Sequence, residues 1–306
     1  IDPDEIERQN LGPMLEITLT LKDKQVLFKP QLRQNEGKGL RDQVQGWISN
    51  FFLSVLICKR LDTPDGTFIR ELHQDFNIQA LIATVYATLH DTEGKCDELK
   101  TTYENYSDLW LLEIEEVFHA FIKEGMAENE HGMMMVDLPK FDAEIKKYND
   151  IIAEAENASS VVDIGWLKII TDPVKNSIHT WSSKWIYKYT CYLQEDVVSR
   201  LVNLQAFMDE AHEGLDKEVE EGDDAALEAC MIVIRDVGGK VEANRAMFEP
   251  LRDTLLLLKR EGVSLEEFQV AETDLQEYLE SAPLKWDRVV NKTFKKKETI
   301  MPLQNA

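Results

Sequence analysis

The residues able to do chemistry are scattered through the chain in no recognisable set. Gly238, Gly239 and Lys240 come nearest to a phosphate-binding loop, but Val241 follows them and the upstream glycine is missing. No G-x-x-x-x-G-K-[ST] cradle is therefore present. The six histidines, His73, His90, His119, His131, His179 and His212, stand apart from one another and read as structural or surface residues. His119, beside Val117 and Phe118, reads as a histidine at the edge of the core. Cys58, Cys96, Cys191 and Cys230 form no paired motif, which fits a reducing compartment. No H-E-x-x-H, EF-hand loop, G-x-S-x-G or zinc-spaced Cys/His set occurs. Carboxylates abound, so pairing any two of them carries no information. The N-x-S/T triplets at Asn105, Asn157 and Asn291 read as chance in a chain without a secretory signal. No catalytic, cofactor-binding or metal residue is nominated, and no cofactor is expected.

Composition describes a scaffold better than an enzyme. The chain has 306 residues, 43% of them hydrophobic and 30% charged, and only 14 glycines and 9 prolines punctuate it. Long solvated helices suit that balance, and the length suggests about two compact units. A formal charge of -23 argues against nucleic acid, whose phosphates are bound by Lys and Arg. The most apolar run, Trp47 to Cys58, is too short to span a bilayer. No membrane or small-molecule partner is expected, and because the chain starts at Ile1 it reads as a piece of a longer polypeptide.

The elements are dominated by helical periodicity. Cys230, Ile234, Val237, Val241, Asn244, Phe248, Leu251, Leu255 and Leu258 follow steps of four and three, a heptad seam with Asn244 as its polar member. Pro250 lies inside that seam and is expected to bend the helix without stopping it. The expected setting is an antiparallel bundle. Leu40, Val44, Trp47, Phe51 and Val55 mark another helix, expected to be buried on more than one side because Phe52, Leu56 and Ile57 widen its face. One very long helical stripe is read from Ile78 to Phe121, with a break or hinge expected around Gly94 and one seam position taken by Thr92 or Glu93.

Phe141, Ile145, Tyr148 and Ile152 predict a helix ending at Asn157 to Ser160. Asp172 and Pro173 open another, which runs to about residue 219 along Ile178, Trp181, Trp185, Tyr189, Tyr192, Val197, Leu201, Leu204, Met208 and Leu215. Leu15, Ile17, Leu19 and Leu21 alternate with polar residues and face Val26 to Phe28 across a polar turn, a β-hairpin whose apolar side needs a helix or a further sheet. Linkers are read at Asn35 to Gly39 and Thr63 to Gly66, and a loop from Glu128 to Met135 whose Met133, Met134 and Met135 plug the core. Asp209 to Glu228 is densely acidic. Ser264 with Glu267 reads as a capping box opening a short helix, which Pro283 ends, and a basic tail follows.

The predicted fold is mainly α, an elongated succession of antiparallel helical bundles with a small N-terminal β-hairpin. Its segments are a hairpin and linker over 1–38, a bundle with a long helix over 39–128, a second bundle over 129–222, and the heptad helix, short helix and basic exit over 223–306.

Several stretches closely resemble the tail of axonemal dynein heavy chains. They are Ile234 to Val237, Met247-Phe248-Glu249-Pro250-Leu251, Leu255 to Lys259, the Pro283-Leu284-Lys285-Trp286 turn and Met301-Pro302-Leu303-Gln304. The Pro13 to Pro30 hairpin, the Trp110 helix and the Trp185 to Leu204 helix also fit, nearest to outer-arm forms. The resemblance implies a non-motor segment, just before the linker, of an ATP-driven microtubule motor of cilia and flagella. It implies assembly with other heavy chains, intermediate and light chains, and docking factors on the axonemal doublet. It also places the nucleotide-binding ring outside this chain. A spectrin-like cytoskeletal scaffold is the alternative, but no repeat of about one hundred residues is visible. An enzyme with an unrecognised site would need convergent polar groups that no pattern here supplies.

Overall fold

The computed structural model describes residues 13–33, 36–58, 60–61, 66–128, 130, 132–220, 223–265 and 268–302. The fold is mainly α, as expected. Its helices are α1 (Leu40–Val55), α2 (Ile69–Gln74), α3 (Phe76–Glu104), α4 (Asp108–Leu111), α5 (Ile114–Glu124), α6 (Leu138–Asn157), α7 (Asp172–Asp216), α8 (Asp224–Arg260) and α9 (Leu275–Ile300). The strands are β1 (Leu15–Lys22), β2 (Gln25–Lys29), β3 (Met126–Glu128), β4 (Met134–Val136), β5 (Val161–Ile164), β6 (Leu167–Ile170), β7 (Gln269–Val270) and β8 (Thr273–Asp274). Two compact units result, Ile1–Glu113 with Asn149–Ser183, and Ile114–Tyr148 with Lys184–Ala306. The division falls within α6 and α7 and interleaves the chain, whereas the segments read from the sequence are consecutive.

The first unit is built on a sheet of order β2-β1-β6-β5. The expected hairpin is there: Asp23 and Lys24 both take positive φ, 51° and 61°, so the two-residue turn carries the twist of the strands it joins. A second hairpin, β5 with β6, was not read from the sequence. It supplies the missing neighbour from within the chain, with β1 lying parallel to β6 and Ile17 opposite Ile169. Ile17, Leu19, Val26, Phe28, Leu167 and Ile169 are buried, and α3 touches β2 and β5. Alternation sends one side of each strand to the core.

The long stripe from Ile78 to Phe121 becomes three helices. The chain leaves helix at 105–107 and again at 112–113, while α3 passes Gly94 without a break. Glycine costs a helix only about 1 kcal/mol, and the buried residues around it hold the turn: Leu89, Thr92, Glu93 and Cys96 all lie in the core. Asp75 caps α3, its carboxylate accepting from the Asn77 and Ile78 amides. The linker residue Asn35 and the turn residues Thr63 to Asp65 lie outside the described residues.

The second unit centres on aromatic rings. Phe118, Phe121 and Phe141 meet Tyr189 edge-on at centroid distances of 5.4, 5.0 and 6.0 Å, and Tyr148 stacks on Trp185 at 5.4 Å. Such edge-on and stacked pairs match ring edges to ring faces. Glu128, Met134 and Met135, expected in a loop, belong to the β3–β4 hairpin of Met126–Glu128 with Met134–Val136. Met135 is buried as a plug should be, and Met134 is exposed.

Most of the heptad seam is buried: Cys230, Val237, Asn244, Phe248, Leu251, Leu255 and Leu258 are buried along α8, which packs against α9, while Ile234 and Val241 are half-buried. Asp223 caps the start of α8. A Schellman turn ends it, with the Gly262 amide on the Lys259 carbonyl, the Val263 amide on the Leu258 carbonyl, and Gly262 at φ 73°.

Two expectations near the C-terminus fail. The helix opens at Leu275, capped by Asp274, and Ser264 precedes the β7–β8 hairpin; Glu267 lies outside the described residues. Pro283 does not end the helix. The apolar face of Ala282, Trp286, Val289 and Val290 continues past it into the core and outweighs the roughly 3 kcal/mol that an interior proline costs. The Pro283 to Trp286 stretch is thus helix, and the closing Leu303 and Gln304 lie outside the described residues.

Candidate interaction surface

Among the described residues no group of three His, Cys, Asp or Glu side chains is placed to hold a metal, and no described helix is long and apolar enough to cross a membrane. The histidines remain dispersed. His73 stacks on Phe52 with centroids 4.0 Å apart, His212 Nδ1 lies 3.2 Å from Lys292 Nζ, and His179 Nδ1 lies 3.5 Å from Ser183 Oγ. His90 is exposed, and so is His119, which was expected at the core edge: Phe118 turns inward and its neighbour points to water. His131 lies outside the described residues. All four cysteines are free; burial pushes the Cys96 thiol up to about 12 and raises that of Cys230.

The acidic stretch meets the basic C-terminal helix. Lys292 Nζ lies 2.7 Å from the Asp216 carboxylate and Lys296 Nζ donates to the Lys217 carbonyl at 2.7 Å. Lys292 holds the Asp216 carboxyl below the usual carboxylate range. Part of the charge that stood out in the sequence is thereby answered within the second unit.

Part of what the first unit leaves exposed is apolar. Gln43 to Cys58 and Phe76 to His90 contain no Asp, Glu, Lys or Arg, in a chain that is 30% charged. Helix α1 was expected to be buried on several sides, yet Trp47 is 47% exposed, Phe51 49% and Leu53 54%. On α3, Phe76, Leu81 and Val85 are exposed as well. The buried residues of these helices are Leu40, Val44 and Phe52 on α1 and those from Leu89 onward on α3.

Two contacts fix how these helices run. Arg41 at the start of α1 pairs with Glu93 in the later half of α3 at 2.7 Å, and Phe52 near the end of α1 stacks on His73 just before α3 begins. Both uncharged, exposed stretches therefore lie to the same side of the Arg41–Glu93 pair. The sequence signal was present in the absence of charge, and periodicity alone misread it as core.

No family model matches the chain. Individual proteins do. The beta chain of the flagellar outer-arm dynein of Chlamydomonas reinhardtii is 28% identical over an alignment covering 100% of this chain. The chain is similar in sequence to axonemal dynein heavy chains. Human dynein axonemal heavy chain 9 is 26% identical and the ciliary dynein beta chain of Tripneustes gratilla 25%, each over 97% of the chain. The chain spans 7% of the length of each of these dyneins.

Proposed function

We propose that this chain is a non-motor tail segment of an axonemal dynein heavy chain, of outer-arm type, whose work is assembly and anchorage. The observation that carries the reading is the pair of uncharged, exposed helical stretches on α1 and α3 in the first unit. In an acidic chain, such a surface is retained where another polypeptide covers it. The partners are a second heavy chain, intermediate and light chains, and docking factors on the doublet of a cilium or flagellum. Nucleotide hydrolysis belongs to a part of the heavy chain outside this segment, consistent with the absence of a phosphate loop in the sequence. Helices with long packed seams suit a segment that bears load between motor and anchor. A bend at Pro250 would set its course.

The test is a complete heavy chain carrying Trp47→Asp and Leu81→Asp. Both residues are exposed, so the fold should persist, with an unchanged circular dichroism spectrum. The variant should lose co-purifying heavy and intermediate chains while keeping its ATPase activity. Full recovery of those chains with the variant would overturn the proposal.

A further inference from the structure

The four-stranded sheet of the first unit ends at β5, and that edge is open. Strands β5 and β6 join through a two-residue turn at Gly165 and Trp166, so Ile164 and Leu167 close the ladder as a hydrogen-bonded pair. The alternation runs on through Val162 with Ile169 to Ser160, whose carbonyl accepts from the Thr171 amide at 3.0 Å. Val161 and Asp163 therefore turn their amides and carbonyls away from β6, toward the free edge. The Val161 carbonyl accepts from the Ser159 hydroxyl at 2.5 Å. Among the described residues nothing bonds the amides of Val161 and Asp163 or the Asp163 carbonyl, and both residues are exposed. At the opposite edge the outward-turned residues of β2 are Val26 and Phe28, and both are buried. An exposed edge with free main-chain groups is a template for a further strand.

What that strand should carry follows from the rows of side chains that cross the sheet. On the solvent side Glu16, Lys168 and Asp163 share one row through the β1–β6 and β6–β5 registers. Lys168 Nζ pairs with Glu16 at 3.3 Å, and among the described residues Asp163 has no cation. The row alternates in sign and breaks off at a carboxylate. The next row on that side, Thr18, Ile170 and Val161, breaks off at a valine that is 41% exposed. On the core side the rows end at Val162 and Ile164, which are half-buried opposite the buried Ile169 and Leu167.

We infer that β5 accepts an extended segment of a partner polypeptide as a fifth, antiparallel strand, with a basic residue opposite Asp163 and apolar residues opposite Val161, Val162 and Ile164. Main-chain bonds to Val161 and Asp163 hold the segment, and the side chains opposite them select it. Antiparallel pairing is the more stable ladder per residue. Charge disfavours a second copy of this chain, which would bring another Asp163 and a formal charge of -23 to the same short edge. None of the residues involved belongs to the α1 or α3 stretches, so the inference stands apart from the assembly reading.

The experiment measures fluorescence anisotropy of the full chain with a labelled ten-residue peptide centred on Ile-Lys-Val-Val, with the same peptide carrying Glu for Lys, and with the same peptide N-methylated at its Lys. The first should bind. Glu should weaken binding about fivefold. N-methylation keeps the charge and removes the amide that donates to the Asp163 carbonyl, and should weaken binding about tenfold. Asp163→Lys, at an exposed position, should invert the preference between the Lys and Glu peptides. A basic peptide merely attracted to an acidic chain is indifferent to N-methylation. The inference is overturned if Ile-Lys-Val-Val fails to bind, if the N-methylated peptide binds equally, or if Asp163→Lys keeps the preference for Lys. It is overturned in its choice of occupant if the chain sediments as a dimer that excludes the peptide, which would give the edge to a second copy.

Discussion

Arg41 and Glu93 meet at 2.7 Å across α1 and α3, with the Glu93 side chain 7% exposed and its second oxygen unbonded. This pair occupies the seam position that Leu89 and Cys96 leave between them. An ion pair so placed orients two helices more than it stabilises them, because its attraction is spent on desolvation.

Removing one partner should therefore cost much more than removing both. Glu93→Ala is expected to destabilise the chain by on the order of 3 kcal/mol, and Arg41→Met with Glu93→Leu by less than about 1 kcal/mol. Urea unfolding of Glu93→Ala and of the double variant checks this. Equal losses in single and double variants would refute it.

Alkaline pH should unfold the protein through buried acids. Burial raises Cys96 from 9.0 to about 12 and raises Tyr189 and Tyr278 from 10.0 to about 12. The folded state thus keeps protons that the unfolded chain releases. The stability these groups contribute is complete below pH 9 and falls as pH rises to about 12, by up to roughly 1.4 kcal/mol per pH unit for each group. Chemical unfolding at stepped pH measures the slope. In native protein at pH 8, a thiol reagent should modify exposed Cys58 and spare Cys96.

Gly214 lets α7 approach α8. A Cβ there would lie 2.7 Å from Val233 Cγ2, so one of the two must shift. Gly214→Ala should destabilise by ~1 kcal/mol, overpacking exceeding the gain in helix propensity. Adding Val233→Ala should make the alanine at 214 favourable in a thermal-melt cycle.

Pro283 lies inside α9, where it leaves the Leu279 carbonyl without its helical donor. Pro283→Ala should raise stability by about 1–3 kcal/mol and keep the helix length. A drop in stability would show that the proline shapes the contact of α9 with α8.

Local pattern determined much of this protein. Alternation from Leu15 to Leu21 gave the first hairpin, the steps from Cys230 to Leu258 gave the buried seam of α8, and the aromatic stripe from Trp185 gave the core of the second unit. Periodicity reports which side of an element is apolar, and it says nothing of what lies opposite. Only the tertiary structure decided that β1 pairs with β6 at Ile17 and Ile169, that Arg41 makes Glu93 a core residue, and that the burial of Trp286 carries α9 through Pro283. The same limit governs the interaction surface. Trp47, Phe51 and Leu81 carry the spacing of core residues and stand in solvent, because spacing along one helix does not record whether another element lies opposite it.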